Sequence, residues 1–311
     1  MGQRHELPFG IAPIGLTGLM RIEAELAGVA AAQSRGIPFT LSTMGTRSIE
    51  AVAEAGPQAR KWFQLYVRRG RENSTGLLQR AWENGYDTLV VTADTPVSGR
   101  RLRDEHNQLT MPPKLTARTV VQSALHPAWA LDLVSHDAPA LANFERTEST
   151  VHQLVGSMFD PDLALEHLEW LREEWPGKFV VKGILAPDDA RRVADFGADA
   201  VWVSNHSGRQ LDRAVAPVDV LPAIRAAVGP EMPVLLDSGI RTGTDVAIAL
   251  ASGADHVFLG RAYLYGLMAG GQAGVERALD LLAIETRNAM QLLGVASVAE
   301  LRAQGPELLA G

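Results

Sequence analysis

His206 and Arg209 stand three residues apart in the run Ser204-Asn205-His206-Ser207-Gly208-Arg209-Gln210-Leu211-Asp212. The run follows the apolar stretch Ala200-Val201-Trp202-Val203, so both side chains leave the end of a buried strand together. That pairing suits removal of a proton beside a carboxylate. An imidazole supplies a base that titrates near neutrality, and a guanidinium holds the anion in a fork.

Other residues able to do chemistry also fall at the ends of strand-like runs. The first run ends Ala12-Pro13-Ile14-Gly15 and the second at Ser42. The third carries Gln64 and Tyr66, and the fourth ends Thr92-Ala93-Asp94. The fifth ends at Lys182, the sixth leads to His206, the seventh ends at Asp237 and the eighth at Gly260-Arg261. A lysine, aspartate or histidine in such a place is costly unless paired or used. The stretch Asp237-Ser238-Gly239-Ile240-Arg241-Thr242-Gly243, together with Gly260-Arg261, suits an anion: glycines let backbone N–H groups approach, and arginine matches the oxygens.

The elements that must position these residues alternate along the chain. Strand-like runs are Phe9–Ala12, Phe39–Ser42, Trp62–Val67, Thr88–Ala93, Phe179–Lys182, Ala200–Ser204, Val234–Asp237 and His256–Gly260. Helical stretches between them are Ala24–Ser34, Ile49–Ala55, Glu72–Asn84, Leu163–Glu174, Asp188–Phe196, Val218–Val228 and Thr244–Ala251. Ser48, Pro187-Asp188-Asp189 and Thr242 are start signals, and Gly36, Gly85, Gly197 and Gly253 are stop signals. The runs are nearly continuous in apolar residues, as parallel strands covered on both faces require. Eight such units predict an α/β fold, a (β/α)8 TIM barrel formed as a single domain over residues 1–311. A doubly wound open sheet is the competitor, but no G-x-G-x-x-G follows the first strand. The loop after strand four, at about residues 95–160, is far longer than the others and weakly periodic. Within it Leu141 to Glu148 is polar enough to be expected mobile. Ala273–Leu293 reads as one or two closing helices.

In such a barrel the active site lies at the C-terminal strand ends, and a phosphate is usually held after strands seven and eight. That location alone is shared by barrels of many chemistries. Composition narrows the field. The chain has 311 residues, a net charge of −7 and no basic block, which argues against nucleic acid as a partner. The absence of cysteine excludes thiolate chemistry. No signal pattern, membrane-spanning run or metal-ligand spacing is evident, so a cytoplasmic enzyme without a metal is expected.

The blocks Leu41-Ser42-Thr43, Trp62-Phe63-Gln64-Leu65-Tyr66-Val67, Thr92-Ala93-Asp94-Thr95-Pro96, Ser204–Asp212 and Asp237-Ser238-Gly239-Ile240-Arg241 occur in one order along the chain. In these, from about Leu7 to Leu301, it resembles the FMN-dependent 2-hydroxy acid dehydrogenase and oxidase family. Members include flavin-type L-lactate dehydrogenases, glycolate oxidases and (S)-mandelate dehydrogenases. Leu125-His126-Pro127-Ala128-Trp129 and Leu141-Ala142-Asn143-Phe144 look most like the mandelate dehydrogenase branch.

The resemblance implies oxidation of an (S)-2-hydroxy acid to the 2-oxo acid with FMN as cofactor. It makes His206 the base and Asp94 the group that orients it. Arg209 and Arg101 would hold the substrate carboxylate, although Arg100 and Arg103 stand close enough to Arg101 to be confused with it. Tyr66 would hydrogen-bond the substrate, and Lys182 would stabilise negative charge at the flavin N1 edge. Ser42, Gln64 and Thr92 would contact the isoalloxazine ring, and Ser204, Ala12 and Gly15 would lie near it. Asp237 would bind the ribityl chain. Gly239, Arg241, Gly260 and Arg261 would hold the phosphate. Trp129, Trp170 and Trp175 read as structural, and His126 and His152 as surface groups.

Departures from the family pattern are informative. Glycine usually stands where Ser207 is, and Ile22-Glu23-Ala24-Glu25 is a loose match to a Pro-Glu-Gly-Glu-like block. Family members carry a longer N-terminal segment that includes a substrate-contacting tyrosine, so a miscalled start or a fragment is expected here. Glycine at Gly15 is the mandelate dehydrogenase-like choice and favours a quinone or other carrier over oxygen as electron acceptor. No obvious apolar anchor is read in the long loop, which leaves at most a peripheral membrane association, and a homotetramer is implied by resemblance. The competing functions are a peroxide-forming oxidase, a flavin-dependent isomerase or phosphate-substrate lyase on the same barrel, and a flavin-binding remnant without turnover.

Overall fold

In the computed structural model, residues 5–68, 70–107, 116–135, 141–144 and 160–309 are described. Eight parallel strands close into a barrel in chain order: β1 (Phe9–Ile11), β2 (Phe39–Ser42), β3 (Lys61–Leu65), β4 (Tyr86–Thr92), β5 (Lys178–Ile184), β6 (Ala200–Val203), β7 (Val234–Leu236) and β8 (His256–Leu259). The seam between β1 and β8 is parallel as well, with Gly10 level with Phe258. This is the (β/α)8 architecture that the alternation of elements predicts. Side chains alternate along each strand and serve two cores. Phe63, Leu89, Val91, Val201, Val203 and their neighbours face the surrounding helices. Ala12, Trp62, Val90, Val180, Ala200, Trp202, Leu235 and Phe258 fill the barrel itself. Trp202 and Phe258 stack with ring centroids 4.1 Å apart, and Trp62 closes on Phe258 at 5.1 Å. Burying one large apolar side chain contributes roughly 1.5–3 kcal/mol, so this plug is a firm floor for whatever lies above it.

The helices that follow the early strands are α1 (Ala24–Ser34), α2 (Ile49–Ala55) and α3 (Glu72–Glu83). The long segment after β4 holds α4 (Leu102–His106), α5 (Ala117–Ala124), α6 (Pro127–Val134) and α7 (Glu169–Glu174). Next come α8 (Pro187–Asp195), α9 (Pro217–Val228), α10 (Gly243–Ala251), α11 (Arg261–Leu292) and α12 (Val298–Leu308). The expected caps are present. The Ser48 hydroxyl accepts from the Ala51 N–H at 3.2 Å, and Thr242 and Asp245 cap one another. Gly36, Gly85, Gly197 and Gly253 all take positive φ, between 60° and 114°, where a Cβ would be strained.

Several expectations need correction. Strand β3 ends at Leu65 rather than Val67, and β5 runs on to Ile184 through a bulge at Gly183. Leu163–Glu174 is not one helix but a 3-10 turn, Leu165–Leu168, followed by α7. The closing helix starts at Arg261, because the kink at Gly270 and Gly271 breaks the periodicity that sequence alone can follow. Within the long loop, Leu141–Phe144 is anchored rather than mobile: Asn143 is buried, and its Oδ1 accepts from the Ile49 N–H at 3.0 Å. Residues 145–148 lie outside the described residues, as does His152. The loop also carries the apolar face that its sequence did not advertise. Val120, Val121, Leu125, Leu131 and Val134 are exposed along α5 and α6. Trp129 is partly exposed and ties α6 down by donating to the Leu19 carbonyl at 2.9 Å. Trp170 and Trp175 are core residues, and His126 is exposed, as expected. Among the described residues no helix is long and apolar enough to cross a membrane.

Candidate active site

Two residues beyond the aromatic plug, the inward faces of the strands turn polar. Gln64 follows Trp62, Thr92 follows Val90, Lys182 follows Val180, Ser204 follows Trp202 and Asp237 follows Leu235, each on the same face of its strand. Strand register sets them level: Ser42 lies beside Gln64, and Thr92 beside Lys182. All six polar side chains are buried. They pair among themselves. The Ser42 hydroxyl donates to Gln64 Oε1 at 3.0 Å, and Gln64 Nε2 donates to Thr92 Oγ1 at 2.9 Å. Lys182 Nζ donates to Ser204 Oγ at 2.9 Å and lies 3.1 Å from Asp237 Oδ2. The ammonium also sits over the Trp202 ring, 5.6 Å from its centroid. A buried cation with an anion and a hydroxyl as partners avoids most of its desolvation cost.

Above this layer stands the ionic pair. His206 Nδ1 lies 3.1 Å from Asp94 Oδ1. Burial opposes charge on Asp94. The His206 hydrogen bond, then the charges of Lys182 and His206, outweigh it and hold the carboxyl below its usual range. An ionised Asp94 favours the tautomer with the proton on Nδ1, which leaves Nε2 as the basic lone pair. The second oxygen, Asp94 Oδ2, is buried and accepts no hydrogen bond among the described residues. His206 and Ser207 both have left-handed backbone, φ 55° and 56°. Such strain persists only where surroundings enforce it. Here the Ser204 hydroxyl accepts from the His206 N–H at 3.1 Å, Ser238 Oγ accepts from the Ser207 N–H at 3.0 Å, and Asn205 accepts from the Gly208 N–H. The φ of Ser207 gives the physical reason for the family's glycine at this position. Ala24, where the Pro-Glu-Gly-Glu-like block has its glycine, is likewise at φ 47°.

Three more expected residues converge on the pair. Burial, then the Asp94 charge, push the Tyr66 hydroxyl well above its ordinary pKa while the Arg101 and Arg209 charges pull the other way, so the phenol stays neutral. Arg209 is lowered by desolvation and by the neighbouring Arg101 charge, yet an arginine so placed stays protonated at neutral pH. Arg101 Nε donates to the Arg209 carbonyl at 3.4 Å, whereas Arg100 is turned away to Glu105 and mostly exposed.

On the far side, Gly239 is at φ 89° with open space around its Cα, and Arg241 and Arg261 are exposed. The N-terminus of α11 at Gly260 has no side-chain cap, while that of α10 is filled by Thr242, Asp245 and Glu285. The N-terminus of α11, opened by Arg261 and without a side-chain cap, fits a phosphate. The polar layer, with the Lys182 ammonium among its donors, fits a planar ring carrying amide and imide edges. Ala12 is buried at the barrel mouth. Gly15 is packed so closely that a Cβ there would lie 2.5 Å from Met44 Cβ. These residues fit FMN.

Sequence reasoning missed several contributors. Thr43 Oγ1 accepts from the Tyr66 N–H at 3.2 Å. Asp104 Oδ2 lies 3.7 Å from Arg209. A Cβ on Gly183 would strike Asp94. Gln210 Nε2 donates to the carbonyls of Asp94 and Val97. Thr43 and Gln210 lay inside blocks that the sequence had singled out, whereas Asp104 and Gly183 did not.

Comparison with known proteins points to one family. The family model described as FMN-dependent dehydrogenase matches residues 1–307. A protein of Mycobacterium tuberculosis named "Putative L-lactate dehydrogenase" is 49% identical over 301 residues, covering 97% of this chain and 73% of that one. An L-lactate dehydrogenase of Xanthobacter autotrophicus is 45% identical over 307 residues, covering 96% and 78%. The crystal structure of the monotopic membrane protein (S)-mandelate dehydrogenase superposes with a TM-score of 0.91 at 42% identity, covering 96% of this chain and 80% of that one. With a family model matching nearly its whole length and curated relatives 45–49% identical to it, the chain belongs to the FMN-dependent dehydrogenase family.

Proposed function

We propose that the protein oxidises an (S)-2-hydroxy acid of lactate or mandelate type to the 2-oxo acid, with His206 as the base. The observation that carries this reading is the His206–Asp94 pair, 3.1 Å long, standing beside Arg209 and Arg101 above the buried polar layer. The two arginines bind the substrate carboxylate, and Tyr66 hydrogen-bonds the substrate oxygen. His206 Nε2 takes the proton that must leave, and Asp94 stabilises the imidazolium that results. Ser42, Gln64, Thr92, Ser204 and Lys182 hold the ring of FMN, with Ala12 and Gly15 against it. Asp237 holds its ribityl chain, and Gly239, Arg241, Gly260 and Arg261 its phosphate. FMN supplies the two-electron sink that a hydroxy acid with a weakly acidic C–H requires. Lys182 offers a fixed positive charge where reduction places a negative one.

Gly15, the mandelate dehydrogenase-like residue, supports a quinone or other carrier as acceptor; fast peroxide formation in air would contradict that. The exposed apolar face of α5 and α6, and the monotopic neighbour, support peripheral attachment to a membrane from the cytoplasmic side. Flotation with vesicles, lost when Val121, Leu125 and Leu131 are replaced by serine, tests it. A homotetramer is the assembly the resemblance favours.

The central test is anaerobic: purified yellow protein is mixed with a panel of 2-hydroxy acids and the flavin absorbance followed. Bleaching by L-lactate or (S)-mandelate is expected. His206→Gln is expected to keep the colour and lose the bleaching by a factor of about 10²–10⁴. Fast bleaching in that variant removes His206 from the mechanism.

A further inference from the structure

The base and the carboxylate clamp come from two distant segments. Asp94 and Arg101 follow β4, while His206 and Arg209 follow β6. Nothing in the barrel ladder aligns them, because each lies beyond the last paired residue of its strand. A seam of contacts between the two segments does. Gln210 Nε2 donates to the Asp94 carbonyl at 3.3 Å and to the Val97 carbonyl at 3.0 Å. Gln210 Oε1 accepts from the Gly99 N–H at 3.3 Å. One primary amide thus uses both its donor and its acceptor ends on the backbone of residues 94–99. Gly99 makes this possible: a Cβ there would lie 2.7 Å from Gln210 Cα and strike the Arg209 carbonyl. The same Arg209 carbonyl accepts from Arg101 Nε.

We propose that Gln210 is a positioning residue that fastens the segment bearing Asp94 and Arg101 to the turn bearing His206 and Arg209, so that base and clamp share one rigid frame. Gln210 touches neither the reacting atoms nor the polar ring-binding layer; it acts through the backbone on either side. Alignment of base and clamp is what such an enzyme must hold to a fraction of an ångström, since a misplacement of about 1 Å can cost a factor of about 10² in rate. The consequence for turnover rests on the hydroxy acid reading above; the fastening itself does not.

The test uses flavin-loaded full-length protein as wild type, Gln210→Ala and Gln210→Glu. Gln210→Glu keeps the acceptor for Gly99, loses the donors to Asp94 and Val97 and sets a carboxylate oxygen against their carbonyls. Hydrogen exchange of peptides spanning residues 94–101 is measured first. Both variants are expected to exchange there at least ten-fold faster than wild type, with the barrel strands unchanged and FMN content retained. Unchanged exchange over 94–101 overturns the proposal whatever the enzyme oxidises. Anaerobic flavin reduction then follows. The limiting rate is expected to fall ten-fold or more, with a several-fold weaker binding of oxalate. Gln210→Ala in a His206→Gln background should slow reduction little further. Rates and oxalate binding within two-fold of wild type overturn the positioning role, as does a loss of rate matched by loss of bound FMN. A wild type that no 2-hydroxy acid bleaches sinks the proposed reaction instead, and leaves the exchange result to decide on Gln210.

Discussion

Gly183→Ala is the most demanding single test of how the site is held. Gly183 sits in the β5 bulge directly after Lys182, at φ 102°. A Cβ built there lies 2.6 Å from Asp94 Cβ and 2.7 Å from Asp94 Cγ. Carbon atoms settle at about 3.5 Å or more, so either Asp94 or the bulge must yield by about 0.8–0.9 Å. The left-handed φ alone costs an L-residue about 1–2 kcal/mol, and over-packing a filled site adds about 1–3 kcal/mol. The variant should therefore lose about 2–5 kcal/mol of unfolding free energy. A shift of that size also breaks the 3.1 Å contact of Asp94 with His206, and the rate of flavin reduction should drop by about 10–10². Denaturant unfolding and stopped-flow anaerobic reduction on the same flavin-loaded sample read both. A stability loss below about 0.5 kcal/mol with a rate within two-fold of wild type would refute the argument that the bulge seats Asp94.

Three further outcomes are expected. Ser207→Gly relieves a left-handed residue at φ 56° and should stabilise the protein by about 0.5–1 kcal/mol, the strain relieved less the added freedom of the unfolded chain; a thermal midpoint that falls argues that the serine hydroxyl has its own partner. His256, at the barrel floor, is held neutral by burial and then by the nearby His5, its pKa pushed down to about 3. The unfolded chain binds that proton from about pH 6.5, so the contribution is complete above pH 6.5 and is lost as pH falls towards 3, at about 1.4 kcal/mol per unit. His256→Leu should flatten that slope in acid unfolding curves, and an unchanged slope would count against it. Lys182→Met leaves Asp237 buried beside an apolar chain and should cost about 3–5 kcal/mol, whereas adding Asp237→Leu should recover a large part of it. If the two losses simply add, the ion pair is not the unit inferred here.

The barrel was legible because its physics is local. Apolar runs alternate with helical stretches through all eight strands, and each run is buried on both faces whatever its neighbours are. Ile49–Ala55 and Ala24–Ser34 fall where side-chain pattern and caps put them. The segment after β4 was not legible in this way. Helices α5 and α6 and the turn between them leave Val121, Leu125 and Leu131 in solvent, so their apolar positions do not mark a face packed on the barrel. Leu141–Phe144 looked polar and loose because Asn143 spends its polarity on the buried start of α2.

The sequence by itself determined which residue types stand at the strand ends: the histidine, the arginines, the lysine and the glycines all follow apolar runs. It also determined the family, through blocks that keep their order. Tertiary structure alone decided who meets whom. Asp94 and His206 are 112 positions apart and become partners only when β4 and β6 are fixed in one closed sheet. Ser42, Gln64, Thr92, Lys182, Ser204 and Asp237 form one layer only because strand register sets their heights. The reach of Gln210 and the left-handed turn at Ser207 depend on backbone approach across the barrel rim. Local periodicity encodes which face a residue takes, and it cannot encode the distance between two chains that meet through loops.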